Sequence, residues 1–348
     1  MTGGSVRAHV RDLQPVAHGS VSARELAAFG LMPGDALDFS VNTNPLGPAP
    51  NVVRAIQQTD WTRYPGDDEM PLRQGLAGQT GARADQVVLG NGSAELMWLI
   101  GLAVLEPGDP VAIVGPTFGE YARAVRAVGA CPIDVRSPSD VPACRMVFVC
   151  NPNNPTGSLV SRDTIARLLS HAPRLLVLDE AYASFAPQRW PSEPLQDQHP
   201  NLLVLRSLTK DHALPGLRLG YLLAAPELAA AVEAVRPPWS VNAGALRAGL
   251  ATLDPAAQAH LARARDVVAE ARSLLTAGFR HLGYAVEPSS ANFVLVEVGD
   301  APAFRRALLP RGLVVRDCTS FGLPSHVRVA CRTPAECTRL LEVVKTLN

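Results

Sequence analysis

Two apolar runs bracket a short polar segment past the middle of the chain, and this arrangement limits the possible folds more than any other feature. Residues 201–206 read as a buried strand, because Leu202, Leu203, Val204 and Leu205 form an unbroken apolar series. Residues 217–224 read as a second strand. Between them lies Ser207-Leu208-Thr209-Lys210-Asp211-His212-Ala213-Leu214-Pro215-Gly216. Lys210 is therefore expected in a loop at a strand end, not on a charged helix face. A lysine in apolar surroundings loses its proton readily and serves as an amine nucleophile. Arg218, a little further on, offers a forked cation suited to phosphate. A surface lysine and an edge arginine is the plainer reading, and Ser-x-x-Lys alone is too short to displace it.

The preceding chain alternates strands and helices. Strands are expected over residues 86–89, 111–114, 145–150, 174–178 and 202–205, with helices starting near Ala94, Gly119 and Arg162. That order predicts a mainly parallel α/β sheet. Pro237-Pro238-Trp239-Ser240-Val241-Asn242 breaks the pattern. The chain then divides into an arm and part of a small domain (1–40), a large α/β domain (41–238) and a small α+β domain (239–348). The last holds helices over 243–253, 256–282, 302–309 and 334–347 and strands over 292–298, 313–316 and 326–330. In the arm, Ser22 caps a short helix that Gly30 ends.

The charge balance narrows the function classes. With 32 basic and 32 acidic residues the formal charge is zero, so no electrostatic case exists for nucleic acid or an anionic membrane. No apolar run reaches a membrane span, and residues 1–15 lack a signal core. The six cysteines form no C-x-x-C pair, so reduced thiols in a cytoplasmic enzyme, and no metal site, are expected.

Four more segments carry chemistry at predicted strand ends. Gly90-Asn91-Gly92-Ser93-Ala94-Glu95 turns tightly into a helix whose first N–H groups, on Ser93, Ala94 and Glu95, can face an anion. An ordinary strand–helix turn explains it as well until Lys210 and Arg218 are counted. Gly115-Pro116-Thr117-Phe118 places an aromatic where a planar ring can stack. Asn151-Pro152-Asn153-Asn154-Pro155-Thr156-Gly157 has a backbone fixed by its prolines, which frees Asn154 to point inward. Residues 175–178 end in Asp179-Glu180-Ala181-Tyr182, and a carboxylate there lies where such sheets bind ligands. A solvated strand end describes Glu180 better than Asp179.

Taken together, Ser207 to Tyr221 and the Asn151–Gly157 heptad resemble the cofactor-binding signatures of pyridoxal-phosphate enzymes of the class I and II aminotransferase family. The resemblance runs from about Ala17 to the C-terminus. It implies an aspartate-aminotransferase-like fold (fold type I): a mainly parallel seven-stranded sheet with a smaller α+β domain. It implies that Lys210 bears the cofactor and that Ser207, Thr209 and Arg218 contact its phosphate. Phe118, where most members have tyrosine, covers the ring face. Asn154 and Tyr182 share the ring's phenolic oxygen, and Asp179 faces the ring nitrogen, whose proton an anion retains. Arg63-Tyr64-Pro65 matches a run whose tyrosine reaches the cofactor phosphate of a neighbouring subunit, implying a homodimer with shared active sites. Arg328 corresponds to the clamp for the substrate carboxylate, and Arg316 adds a cation at the site mouth.

The reaction is less constrained. Asp38-Phe39-Ser40-Val41-Asn42-Thr43-Asn44-Pro45-Leu46-Gly47-Pro48 resembles the substrate-facing loop of L-threonine-O-3-phosphate decarboxylases, with Asn44 placed toward substrate. Ala17-His18-Gly19 and Trp239-Ser240-Val241-Asn242 resemble the same branch. By that likeness His18, Ser20 and Arg316 hold a substrate phosphate, although Ser20 stands where that branch has glycine. The expectation is a threonine-phosphate decarboxylase of cobalamin side-chain synthesis, with histidinol-phosphate aminotransfer as the alternative. Both take a small phosphorylated substrate. Regulators with a similar domain carry a basic helix-turn-helix segment that this sequence lacks.

Overall fold

The computed structural model describes residues 6–17, 19, 21–170 and 175–347. Seven strands form the main sheet: β1 (Val87–Asn91), β2 (Pro110–Val114), β3 (Cys131–Val135), β4 (Met146–Cys150), β5 (Leu175–Asp179), β6 (Leu202–Ser207) and β7 (Leu219–Leu223). Their order is β1-β7-β6-β5-β4-β2-β3, and only β7 runs against the rest. Successive side chains enter different cores. Val88, Ile113, Phe148, Val177 and Leu203 pack on one face, and Leu89, Ala112, Val147, Leu176 and Val204 on the other. A sheet covered on both faces needs apolar residues at every position, which explains the unbroken runs in the sequence.

Six strands point the same way, so their carboxyl ends share one edge. The helix Gly92–Val104 starts there, as do the loops carrying Phe118 and Asn154, the Asp179 strand end and the Lys210 segment. This is where a parallel sheet opens a crevice for ligand.

A second core surrounds a four-stranded antiparallel sheet of β8 (Ala285–Val286), β9 (Phe293–Glu297), β10 (Arg316–Asp317) and β11 (His326–Ala330). The helices Pro255–His281 and Pro334–Lys345 back it. Buried Leu261, Ala264, Val268, Ala271, Leu275 and Phe279 form one stripe of the longer helix. The short strand Leu37–Asp38 pairs in parallel with Leu313–Val314 and ties the N-terminal region to this part. Helix Ala243–Thr252, after the boundary expected at residue 238, packs Ala245 and Leu246 into the core of the main sheet.

Three local readings differ from expectation. Lys210 lies on a helical turn, Leu208–Asp211, and not in a loop. Strand β3 was not expected, because Pro132 and Asp134 interrupt its apolar pattern; it sits at the sheet edge, where both are tolerated. Glu180 is buried, not solvated, and pairs at 2.8 Å with Arg206 of the neighbouring strand. Among the described residues, no helix is long and apolar enough to cross a membrane. Nor does any group of three or more His, Cys, Asp or Glu stand ready to hold a metal.

Candidate active site

A cavity of about 610 Å³ opens at the shared strand edge and reaches the second sheet. Ser93, Ala94, Glu95, Phe118, Asn154, Asp179, Tyr182, Ser207, Thr209, Lys210, Arg218, Arg316 and Arg328 all line it. Segments spread over more than 230 residues of chain thus meet in one space, in the size range of small-molecule sites.

Lys210 is almost fully buried. Burial pushes its amine down to about 8, and the charges of Arg328 and Arg218 push the same way; Asp179 opposes them. The floor of the cavity holds Asp179. Its Oδ2 accepts a 2.6 Å hydrogen bond from the Tyr121 hydroxyl, and its Oδ1 accepts from the Ala181 N–H at 3.0 Å. Burial raises the Asp179 carboxyl above its ordinary range, and these two donors and Lys210 pull it back. A carboxylate so enclosed calls for a cationic or N–H partner in the cavity.

Tyr121 is the residue that the sequence reading missed. It is fully buried, stacks on Phe148 at 4.9 Å and meets Phe118 edge-on at 5.7 Å. Tyr121→Phe removes one of the two donors that the described residues offer to a buried carboxylate. The expected cost is about 1.5–3 kcal/mol of folding stability, read by chemical denaturation of the apoenzyme.

Other groups lining the cavity are of the kind that bind an anion. Ser207 and Thr209 hydroxyls lie 2.6 Å apart. Gly92 has φ +77, and a Cβ there would run into the Arg218 guanidinium. At Gly220 a Cβ would sit 2.5 Å from the Ser93 N–H. Glycine at both positions lets the guanidinium and the helix amides approach one point. The Glu95 carboxylate turns back to accept from the Asn91 N–H at 2.6 Å, leaving only its backbone for an anion.

Facing both groups across the cavity is Arg328, fully buried, which donates to Asn154 Oδ1 and, at 2.7 Å, to the Ser40 carbonyl. The Asn154 carbonyl is thereby occupied and its NH₂ is what remains to offer. Tyr182 is buried beside Asn42, and burial pushes its hydroxyl up to about 12. Arg316 donates to the Ala17 carbonyl and Ser320 Oγ, each at 2.7 Å, and its cation sits over Phe321.

Two expectations are corrected or displaced. Asn44, expected toward substrate, does not line the cavity. Its Nδ2 donates to the Asp211 carbonyl at 3.0 Å and its Oδ1 accepts from the Leu46 N–H at 2.9 Å, so the side chain is spent on backbone. Asn42, two residues earlier, lines the cavity instead. Tyr64 lies outside this chain's cavity, exposed and stacked on Trp239 at 4.4 Å. His18 and Ser20 lie outside the described residues.

The sheet order, the lysine turn and the buried carboxylate define an aspartate-aminotransferase-like fold with an enzyme's site at its strand ends. Residues 34–344 match the family described as aminotransferase class I and II, and the chain belongs to that family. A histidinol-phosphate aminotransferase of Symbiobacterium thermophilum is 36% identical over 357 residues, spanning 98% of each chain. The crystal structure of histidinol-phosphate aminotransferase from Sinorhizobium meliloti in complex with pyridoxal 5'-phosphate superposes with a TM-score of 0.86. It is 26% identical and covers 99% of both chains. L-threonine-O-3-phosphate decarboxylase from Porphyromonas gingivalis superposes at 0.78 with 27% identity, over 89% of this chain and 98% of that one.

Proposed function

We propose that this enzyme is an aminotransferase for histidinol phosphate, using pyridoxal phosphate and passing the amino group to 2-oxoglutarate. The observation that supports this substrate over the decarboxylase reading is the 36% identity along 98% of both chains.

The residues present fit the cofactor. The Ser207, Thr209, Arg218 and Ser93 cradle suits its phosphate, and buried Asp179 is the anion that a protonated ring nitrogen needs. When bound, pyridoxal phosphate supplies an aldehyde that condenses with amines and a ring that accepts the electron pair released at the substrate carbon. Lys210 anchors it through its amine. The Lys210 amine would also be placed to take a proton from that carbon and return it, and the burial that lowers its proton affinity in the ligand-free protein favours the free base. Asp179 retains the ring-nitrogen proton. The Asn154 NH₂ and Tyr182 hydroxyl serve the ring oxygen, and Phe118 supplies an aromatic wall. Arg328 and Arg316 hold substrate anions, the phosphate of one substrate and the carboxylates of the other. Burial and their mutual repulsion lower the Arg316 proton affinity, and an incoming anion relieves that repulsion.

A homodimer completes the site in this reading, with Tyr64 serving the neighbouring subunit. Tyr64, Trp61 and Trp239, all exposed, support such an interface.

Arg316→Ala is expected to raise KM for histidinol phosphate roughly 10- to 100-fold, the worth of hydrogen bonds to a charged group. Steady-state kinetics at fixed 2-oxoglutarate checks it. A second reading, decarboxylation of L-threonine phosphate, is favoured by the Asp38–Asn42 motif, whose Asn42 faces the cavity. Holoenzyme incubated with histidinol phosphate and 2-oxoglutarate is expected to produce glutamate. No glutamate, with CO₂ released from L-threonine phosphate, would establish the second reading.

A further inference from the structure

We propose that Asn44 is a positioning residue for the reaction, capping the helical turn that carries Lys210 and so aiming its amine into the cavity. This rests on the reading that Lys210 bears the cofactor.

The carbonyls of a helix's last turn have no partners within it. All four carbonyls of the turn Leu208–Asp211 are nevertheless satisfied. Leu208 O accepts from His212 N at 3.3 Å and Thr209 O from Leu214 N at 3.1 Å. Lys210 O accepts from the Asn44 N–H at 2.9 Å, and Asp211 O from Asn44 Nδ2 at 3.0 Å. Half of the cap therefore comes from one residue, 167 positions away from Asp211 in the chain. Local preference does not hold this turn by itself. Ala213, just beyond it, has φ 54, a left-handed conformation that residues with a Cβ seldom adopt, and such a conformation persists only where surrounding contacts impose it. The same loop reaches the substrate side. Ser40 O, four residues before Asn44, accepts from Arg328. A short segment thus connects the lysine turn with the arginine that faces it.

Asn44 has two separable jobs. Its Oδ1 shapes its own loop through the Leu46 N–H, while its Nδ2 caps the Lys210 turn. Asn44→Asp keeps an acceptor for Leu46 and removes the donor to Asp211 O; Asn44→Ala removes both. The first readout is the pH midpoint of Lys210 labelling in the apoenzyme, by brief exposure to pyridoxal phosphate and borohydride. Arg328, Arg218 and Asp179 are the charged groups that face this amine. The wild-type midpoint is expected near pH 8. Both variants should move it up by about half a pH unit or more, as a loosened turn admits water to the amine. Asn44→Ala brings no new charge, so its shift reports the turn alone. In the holoenzyme, kcat should fall roughly tenfold or more while KM changes less than about threefold. Amide exchange over residues 208–214 should quicken roughly tenfold.

An unchanged midpoint and unchanged exchange in Asn44→Asp would overturn the proposal, whatever happens to Asn44→Ala. Should Asn44→Ala fail to fold, amide exchange over residues 208–214 in Asn44→Asp decides, because the charge that this variant adds can raise the midpoint with the turn unchanged. Failure of the underlying reading looks different: wild-type Lys210 would then take no label at any pH.

Discussion

Lys210→Ala is expected to lose more than roughly 10⁴-fold in kcat, since in the roles proposed for it Lys210 is both the covalent anchor and the group that moves the proton at the substrate carbon. No other lysine lines the cavity. The chain has only two lysines, and Lys345 ends the C-terminal helix Pro334–Lys345, which packs with the second core. Stability should move the other way. In the ligand-free protein Lys210 is buried near two arginines, and the fall from 10.5 to about 8 corresponds to roughly 3 kcal/mol against folding while the amine is charged. The sign follows from proton binding: between about pH 8 and 10.5 the unfolded chain holds the proton and the folded chain does not. That penalty is complete below about pH 8 and fades as pH rises to 10.5. Lys210→Met, which keeps the bulk, should therefore give an apoenzyme more stable than wild type at pH 7, with the advantage shrinking above pH 8. Chemical denaturation across that range reads it. A simple packing lysine would show neither the loss of turnover nor this pH dependence.

Asp179→Asn is expected to lower kcat roughly 10²- to 10³-fold, as removal of a preorganised electrostatic partner does elsewhere. The carboxylate is costly where it stands: fully buried, with Tyr121 and Ala181 as its only donors among the described hydrogen bonds. An isosteric amide relieves that cost in the apoenzyme and removes the anion proposed to keep the ring nitrogen protonated. Apoenzyme stability should hold or rise, while cofactor affinity falls. Kinetics and a cofactor titration together separate this outcome from a merely structural role, for which stability would drop and affinity would follow it.

The parts legible in the sequence were those where fold and chemistry coincide. Lys210, Asp179, Asn154 and Ser93 each lie at or just past the carboxyl end of a strand of the main sheet, and such ends announce themselves by an apolar run giving way to polar residues, Gly or Pro. What escaped was which way a side chain turns. Asn42 and Asn44 lie two residues apart on one irregular loop, and nothing in the sequence tells that the first lines the cavity while the second holds the lysine turn. Asp179 and Glu180 look alike in sequence. The structure sends one to the cavity and the other to Arg206, a partner on β6 that only strand pairing brings near. Tyr121 was hidden because its hydrogen bond to Asp179 spans 58 positions; its place three residues after Phe118, on the first turn of Glu120–Ala127, was the available signal. For the substrate, a local motif around Asp38–Asn42 pointed to decarboxylation, whereas relatedness along the whole chain favours aminotransfer.

Lys210 is proposed as the point of covalent attachment for pyridoxal phosphate. Borohydride reduction of the cofactor-supplied protein, followed by peptide mass mapping, tests it most directly, because two lysines leave two possible amine sites besides the N-terminus. A phosphopyridoxyl group on the peptide containing Lys210 is the predicted result. An adduct on Lys345 alone, or none on either lysine, would contradict it.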